Sequence, residues 1–258
     1  MTDFETLFRD HYTALYKLAL KLSGSHENAE DIVQQAYLNA YNNRGHFRGA
    51  STPYTWLYKI TLNCSYRYIK KLKKLPVQVI AHNQGISEQA VFASLPACND
   101  SVDQLIVAEM RERCLSGFMR CLPAKQRVAF TLREILNLSL NEAASIMETS
   151  ENNVKVLTYR ARKYMQGLME NRCSFLRPDN PCKCEIWIGF ALERGLIKKE
   201  DASKLKHQTN ETIIFEEEVG VLHKIRVLHK LSKPSLDSSE FINEVTRLIK
   251  EKKLTILS

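Results

Sequence analysis

Glycine and proline are scarce in this chain, nine and seven of 258 residues. That argues against a many-stranded fold built on tight turns. No apolar run approaches the about 18–20 residues of a membrane-spanning helix, so no membrane insertion is expected. The opening MTDFETLFRDHY has no basic stretch leading into an apolar one, so a signal peptide is not expected and the protein is expected to be cytoplasmic. Seven cysteines, odd in number and scattered, fit a reducing compartment better than a disulfide framework. There is no phosphate-binding glycine loop, no nucleophile motif and no metal-ligand pair on a helix. The expectation is therefore a protein that is not an enzyme, with no catalytic residue and no cofactor. What the chain does carry is a formal charge of +8, which favours a polyanionic partner, nucleic acid before membrane.

The pattern along the chain is helical. In residues 1–75, Phe4, Phe8, Leu15, Leu18 and Leu22 recur at roughly helical spacing, and SGSHE breaks the run. Ala29, Ile32, Val33, Ala36, Tyr37 and Ala40 then form one apolar stripe. Asp31, Gln34, Gln35 and Leu38 fall opposite it. NNRGHFRGAST reads as a loop, and Pro53 suits the first turn of a third helix. Residues 76–104 show no sustained period and read as a flexible linker with at most a short helical turn. Residues 105–170 are helical again, and residues 171–258 form an extension. The predicted architecture is all-α: two helical domains joined by the linker, plus a small, mainly helical C-terminal part.

Within 105–170, Pro123 opens a helix running to Leu136. Ser139 and Glu142 make a capping box for the next helix, whose apolar face is Leu140, Ala143, Ala144 and Met147. After the short break at Glu148–Thr149, Ser150 caps a third helix. Two short helices across so brief a break form a helix-turn-helix. Val154, Leu157, Ala161 and Met165 (with Tyr164) can face inward, leaving Glu151, Asn152, Asn153, Lys155, Val156, Tyr159, Arg160, Arg162 and Lys163 more exposed. The N-terminal part of such a helix meets base edges in the major groove. Asn152 and Asn153 stand there, and asparagine pairs with adenine in two places. Lys155, Arg160, Arg162 and Lys163 suit phosphates. The competing reading is a solvated face of an ordinary helix pair.

The first domain carries a second surface of this kind. Arg67, Lys70, Lys71 and Lys74 fall at one helical face by spacing. The preceding segment mixes His46, Phe47, Arg48, Tyr54 and Trp56, aromatics among bases, as single-stranded nucleic acid requires. The plain alternative is that Trp56 and Phe47 only fill a core.

At this point the residues resemble a known family. AEDIVQQAYLNAYNNRGHFRGASTPYTWLYKITLN is similar to the first domain of the extracytoplasmic-function (ECF) sigma factors of bacterial RNA polymerase, and LPAKQRVAFTLREILNLSLNEAASIMETSENNVKVLTYRARKYM to their promoter-reading domain. The resemblance covers about residues 4–75 and 105–168. It implies that Asp31, Gln34 and Gln35 grip the clamp of core RNA polymerase. Phe47, Arg48, Gly49, Ser51, Trp56 and Asn63, with Tyr54, Arg67, Lys70 and Lys71 beside them, would serve the −10 element of promoter DNA, where the strands open and a base is flipped out. Ser150, Glu151, Asn152, Asn153, Lys155, Val156, Tyr159, Arg160, Arg162 and Lys163 would read the −35 element as duplex. An anti-sigma factor is a further implied partner. The alternative is a helix-turn-helix regulator that binds operators without polymerase, but that needs neither the clamp-binding face nor the aromatic loop.

There are departures from the family pattern. Pro53 and Tyr54 stand where Phe and Arg are common. Glu148 stands where the turn usually has glycine, and a positive φ is disfavoured there for any other residue. Val156 and Leu157 replace a Ser and an Arg, which shifts base reading toward Asn152, Asn153 and thymine methyl contact.

The extension of 171–258 brings Cys173, Cys182 and Cys184 close together in sequence. Three thiolates suit Zn²⁺ or another soft metal, yet a structural zinc site takes four ligands, and His207 or Asp179 stands as the fourth. Packing as small apolar side chains is the default, and a redox pair is the other alternative. The helix around Trp187 and Phe190 ends before Gly195. TIIFEEEVGVLHKIRVLHKL is ambiguous between strand and helix. A capped amphipathic helix over 238–253 bears Phe241, Ile242, Val245, Leu248 and Ile249 on one stripe. The two helices are expected to pack together or on the second domain, and the extension to regulate activity.

Overall fold

The computed structural model describes residues 4–47, 49, 51–69, 74–95, 104–193 and 237–250. Its helices are α1 (Phe4–Ser23), α2 (His26–Asn43), α3 (Pro53–Ile69), α4 (Pro76–Gln84), α5 (Glu88–Ser94), α6 (Gln104–Arg120), α7 (Ala124–Phe130), α8 (Leu140–Met147), α9 (Glu151–Glu170), α10 (Cys184–Glu193) and α11 (Ser238–Lys250). Among the described residues the chain is all-α, apart from one isolated bridge between Cys173 and Cys182. Two compact units result. One gathers Met1–Leu72, Pro123–Ala161 and Ser232–Ser258; the other gathers Lys73–Leu122 and Arg162–Leu231.

In the first unit α1, α2 and α3 pack on one another. The stripe read from the sequence lies inward: Ala29, Ile32, Val33, Ala36, Tyr37 and Ala40 are all buried. Leu38, expected opposite that stripe, is buried too. An apolar side chain flanking the stripe follows the core rather than the polar face. Gly24 ends α1 with a positive φ of 76° and donates its N–H to the Leu20 carbonyl at 2.7 Å, the usual glycine stop. Thr52 caps α3 by accepting from the Thr55 N–H at 3.1 Å, with Pro53 in the first turn as expected.

The helix-turn-helix forms where its caps predict. Ser139 Oγ accepts from the Glu142 N–H at 3.2 Å, and Glu142 Oε2 accepts from the Ser139 N–H at 2.7 Å. Those bonds, first among the causes, hold the Glu142 carboxyl below its usual range. Glu148 ends α8 at φ 52°, ψ 50°, a left-handed conformation taken by a residue with a full side chain. Its carboxylate pairs with Lys59 of α3, on which α8 packs.

Three sequence expectations are corrected. Residues 76–94 are not linker with a single turn but two helices, α4 and α5. Pro76 and the αL glycine Gly85 bracket the first, and Ser87 caps the second through the Ala90 N–H. Their apolar faces are only two residues each, Val77 with Ala81 and Val91 with Phe92, too brief to register as a period. The C-terminal helix α11 packs on α1, a seat the sequence reading did not name. Phe241 stacks on Tyr12 at 4.7 Å and lies 6.2 Å from Phe8, completing an aromatic cluster with Tyr37. Burying such a ring is worth about 1.5–3 kcal/mol. The side chains of Leu248 and Ile249 lie outside the described set, as do His207, Gly195 and the ambiguous 212–231 stretch. The third correction concerns the bases after α3. Arg67 stands on α3 while Lys74 is non-helical ahead of Pro76, so these two cations do not share a helix face; Lys70 and Lys71 lie outside the described residues.

In the second unit α10 packs on α6, with Val107, Cys184 and Ile188 buried together beside Met110 and Leu192. Arg172 clamps Glu88 of α5 with both ends of its guanidinium, at 2.7 and 3.0 Å. That bond pulls the Glu88 carboxyl below its usual range.

Candidate nucleic-acid interface

The outer face of α9 is polar and basic. Val154, Leu157, Ala161 and Met165 are buried, so the opposite side presents Glu151, Asn152, Asn153, Lys155, Val156, Tyr159, Arg160 and Lys163 to solvent; Arg162 is half-buried. Tyr164, paired with Met165 in the inward set, is instead exposed. Ser150 Oγ accepts from the Asn153 N–H at 3.2 Å and starts the helix. Asn153 Nδ2 also donates to Thr149 Oγ1 at 2.8 Å, which fixes its amide. Tyr159 is 62% exposed and Val156 44%. Neither is spent on the core, so both are available for contact with DNA. The Val156–Leu157 pair splits: Val156 faces out and Leu157 in.

A different surface opens beside Trp56. An open cleft of about 350 Å³ is lined by Asn39, Asn43, Trp56, Ile60 and Asn63. Trp56 and Asn63 come from α3, where about 3.6 residues per turn place Ile60 between them on one face. Asn39 and Asn43 come from α2. Asn39 is held from both sides: its Oδ1 accepts from Gln35 Nε2 at 2.9 Å and its Nδ2 donates to Cys64 Sγ at 3.4 Å. Asn43 Nδ2 donates to the Asn39 carbonyl at 2.8 Å. Burial pushes the Cys64 thiol up, which keeps it a neutral partner. Phe47 stands 5.3 Å from the Trp56 ring and continues its aromatic surface. The cleft therefore offers one apolar wall and several amides, a combination suited to a planar ring with polar edges.

The other sequence candidates are placed as follows. Ser51 donates to the Thr52 carbonyl at the entry to α3. Tyr54 is not part of the cleft lining; it packs 4.4 Å from Tyr58 and 5.0 Å from His11, and burial raises its hydroxyl pKa. Arg67 is exposed and its guanidinium lies over the Tyr68 ring at 4.8 Å. Arg48, Lys70 and Lys71 lie outside the described residues. Asp31 is exposed on α2, one turn before the half-buried Gln34 and Gln35. Asn39 and Asn43 escaped the sequence reading. Their i, i+4 spacing from Gln35 through Asn39 to Asn43, all off the apolar stripe, was the signal that could have found them.

Comparison with known proteins identifies the family. The family description Sigma-70 region 2 matches residues 7–75, and Sigma-70, region 4 matches residues 112–165. The ECF RNA polymerase sigma-E factor of Escherichia coli (strain K12) is 32% identical over 142 residues, 54% of this chain and 73% of that protein. The RNA polymerase sigma-H factor of Pseudomonas aeruginosa is 26% identical over 169 residues, 65% of this chain and 86% of that one. Among solved structures, the sigma factor RpoE of Bartonella quintana, crystallised with the anti-sigma factor NepR, is similar at a TM-score of 0.46 and 26% identity, over 66% of this chain and 98% of that one. This chain belongs to the ECF sigma factors of RNA polymerase.

Proposed function

We propose that the Trp56 cleft takes one unstacked base of the −10 element while α9 reads the −35 element as duplex. As an ECF sigma factor, the protein binds core RNA polymerase, directs it to promoters and promotes strand opening for initiation. The observation that carries the assignment of roles is the cleft itself. Its Trp56 wall supplies a stacking face, and Asn39, Asn43 and Asn63 supply donors and acceptors for the base edge. A duplex cannot enter such a space, because a base must first leave its stack. The convex face of α9 fits a groove instead, with Asn152 and Asn153 toward the bases and Lys155, Arg160 and Lys163 toward phosphates.

Asp31, Gln34 and Gln35 form the polar side of α2 and are assigned to the polymerase clamp. The sigma factor contributes no chemistry of its own; bond formation belongs to the polymerase, and the protein works beside it in the cytoplasm. An anti-sigma factor is the regulatory partner expected of the family.

Run-off transcription with core polymerase tests the whole reading. Transcripts should appear from cognate promoters only when this protein is added, and Asp31→Ala should weaken core binding while leaving isolated −35 duplex binding intact. Tight operator binding with no transcript on any promoter template would instead favour a stand-alone regulator.

A further inference from the structure

Four of the seven cysteines meet in the second unit. Cys114 comes from α6, Cys173 and Cys182 bridge backbone to backbone, and Cys184 opens α10. All four line one small cavity of about 20 Å³, walled by Phe118, Phe175 and Trp187. Cys114 is the group that sequence spacing could not supply, since neither Asp179 nor His207 is needed to make a fourth ligand.

The cavity also holds a hydrogen-bond donor and a cation. Trp187 Nε1 donates to Cys182 Sγ at 3.2 Å. The Leu176 N–H donates to the Cys173 carbonyl at 3.1 Å and fixes the backbone that carries the Cys173 sulfur. The Arg111 guanidinium, seated 4.3 Å over the Phe175 ring, lines the same cavity as Cys184. A neutral thiol is a weak acceptor, so an indole N–H aimed at Cys182 and a guanidinium in the same cavity are poorly matched to neutral thiols. They suit thiolates, and metal-bound thiolates are steadied by contacts of this kind.

We propose that Cys114, Cys173, Cys182 and Cys184 together bind one thiophilic divalent cation of the zinc class, pinning the 171–193 segment to α6. On binding, the four thiols release four protons and the cation replaces them. No electron moves. The resulting complex carries two negative charges, one of which Arg111 offsets. Among the described residues no three such groups stand in ligating geometry. Closure to about 2.3 Å metal–sulfur bonds therefore requires the four sulfurs to move toward one another across the cavity they line. The site uses none of the residues assigned to DNA.

The test is a titration of the reduced, chelator-stripped full-length protein with Co²⁺ and with Zn²⁺. The expected result is one equivalent per chain with the intense visible absorption of tetrahedral thiolate–cobalt, displaced by Zn²⁺. Cys114→Ser should lose the four-sulfur spectrum, and Cys64→Ser should leave it unchanged. Trp187→Phe keeps the ring but removes the donor; it should weaken Zn²⁺ binding by about 10-fold, which keeps the proposal testable if Cys114→Ser fails to fold. No binding, an unchanged spectrum in Cys114→Ser, or a mass lower by two hydrogens with no metal (a Cys173–Cys182 disulfide) would each overturn it.

Discussion

The cleft beside Trp56 and the outer face of α9 are both rich in asparagine, yet the roles proposed for them call for opposite forms of DNA. The first is concave, with an indole wall and amides from two helices. The second is convex, a single helix with cations along it. Residue type alone does not separate them; curvature and the position of aromatic surface do. A concave aromatic site rewards a base already out of its stack. A convex polar helix rewards an intact groove.

Mutations can break this contrast. The largest effect is expected for Trp56→Ala, which removes the stacking wall. Loss of one base–aromatic stack costs about 1–3 kcal/mol, so open-complex formation, followed by single-strand-specific footprinting, should fall by roughly 5- to 150-fold at ~1.4 kcal/mol per decade. Binding to an isolated −35 duplex should be unchanged. If both fall together, the two surfaces are not separate readers. Next comes Asn152→Ala. It should cost about 1–3 kcal/mol on the preferred −35 sequence and little on one substituted at the contacted base pair, measured by competition binding. Smaller still, Arg160→Ala should weaken binding to all duplexes alike and lower the salt slope by about 1.

The smallest expected effect concerns how α9 is held. Ser139→Ala removes the cap of α8 and should cost about 1 kcal/mol of stability, read by denaturant unfolding. The same cap gives an acid sensitivity with a definite sign. The Glu142 carboxyl is held below its usual range in the folded chain, so its contribution is fully present above the unfolded value and is lost as pH falls through the folded one. Acid should therefore loosen the helix-turn-helix before it touches the Trp56 cleft, whose lining amides and indole do not titrate.

What the sequence made legible follows the same division. The helix-turn-helix was readable because caps are local: Ser139, Glu142 and Ser150 each bond within three or four residues of themselves. The apolar stripe of α2 was readable because six residues repeat it. Half of the cleft was named from the sequence, Trp56 by its place among aromatics and bases and Asn63 by the family resemblance. Its other half was not, because Asn39 and Asn43 look like any solvated polar face until α3 is laid beside them. The same holds for Cys114, whose neighbours Cys173, Cys182 and Cys184 are brought to it only by the packing of α10 on α6. Helices α4 and α5 were missed for a different reason: each buries only two side chains, so their existence rests on the end signals Pro76, Gly85 and Ser87 rather than on periodicity.

The seat of α11 on α1 changes how a shortened protein would behave at the bench. Phe241, Ile242 and Val245 cover the rings of Phe8 and Tyr12. A chain stopped after Glu170 would lay that greasy surface bare. Such a truncation would bind hydrophobic dyes, self-associate and lose yield, and a poor transcription result from it would report on exposed aromatic surface before it reported on regulation. Replacing Phe241, Ile242 and Val245 by polar residues in the full chain would face the same objection. The cleaner probe is to supply 237–250 in trans as a peptide and ask whether the shortened chain recovers its solubility.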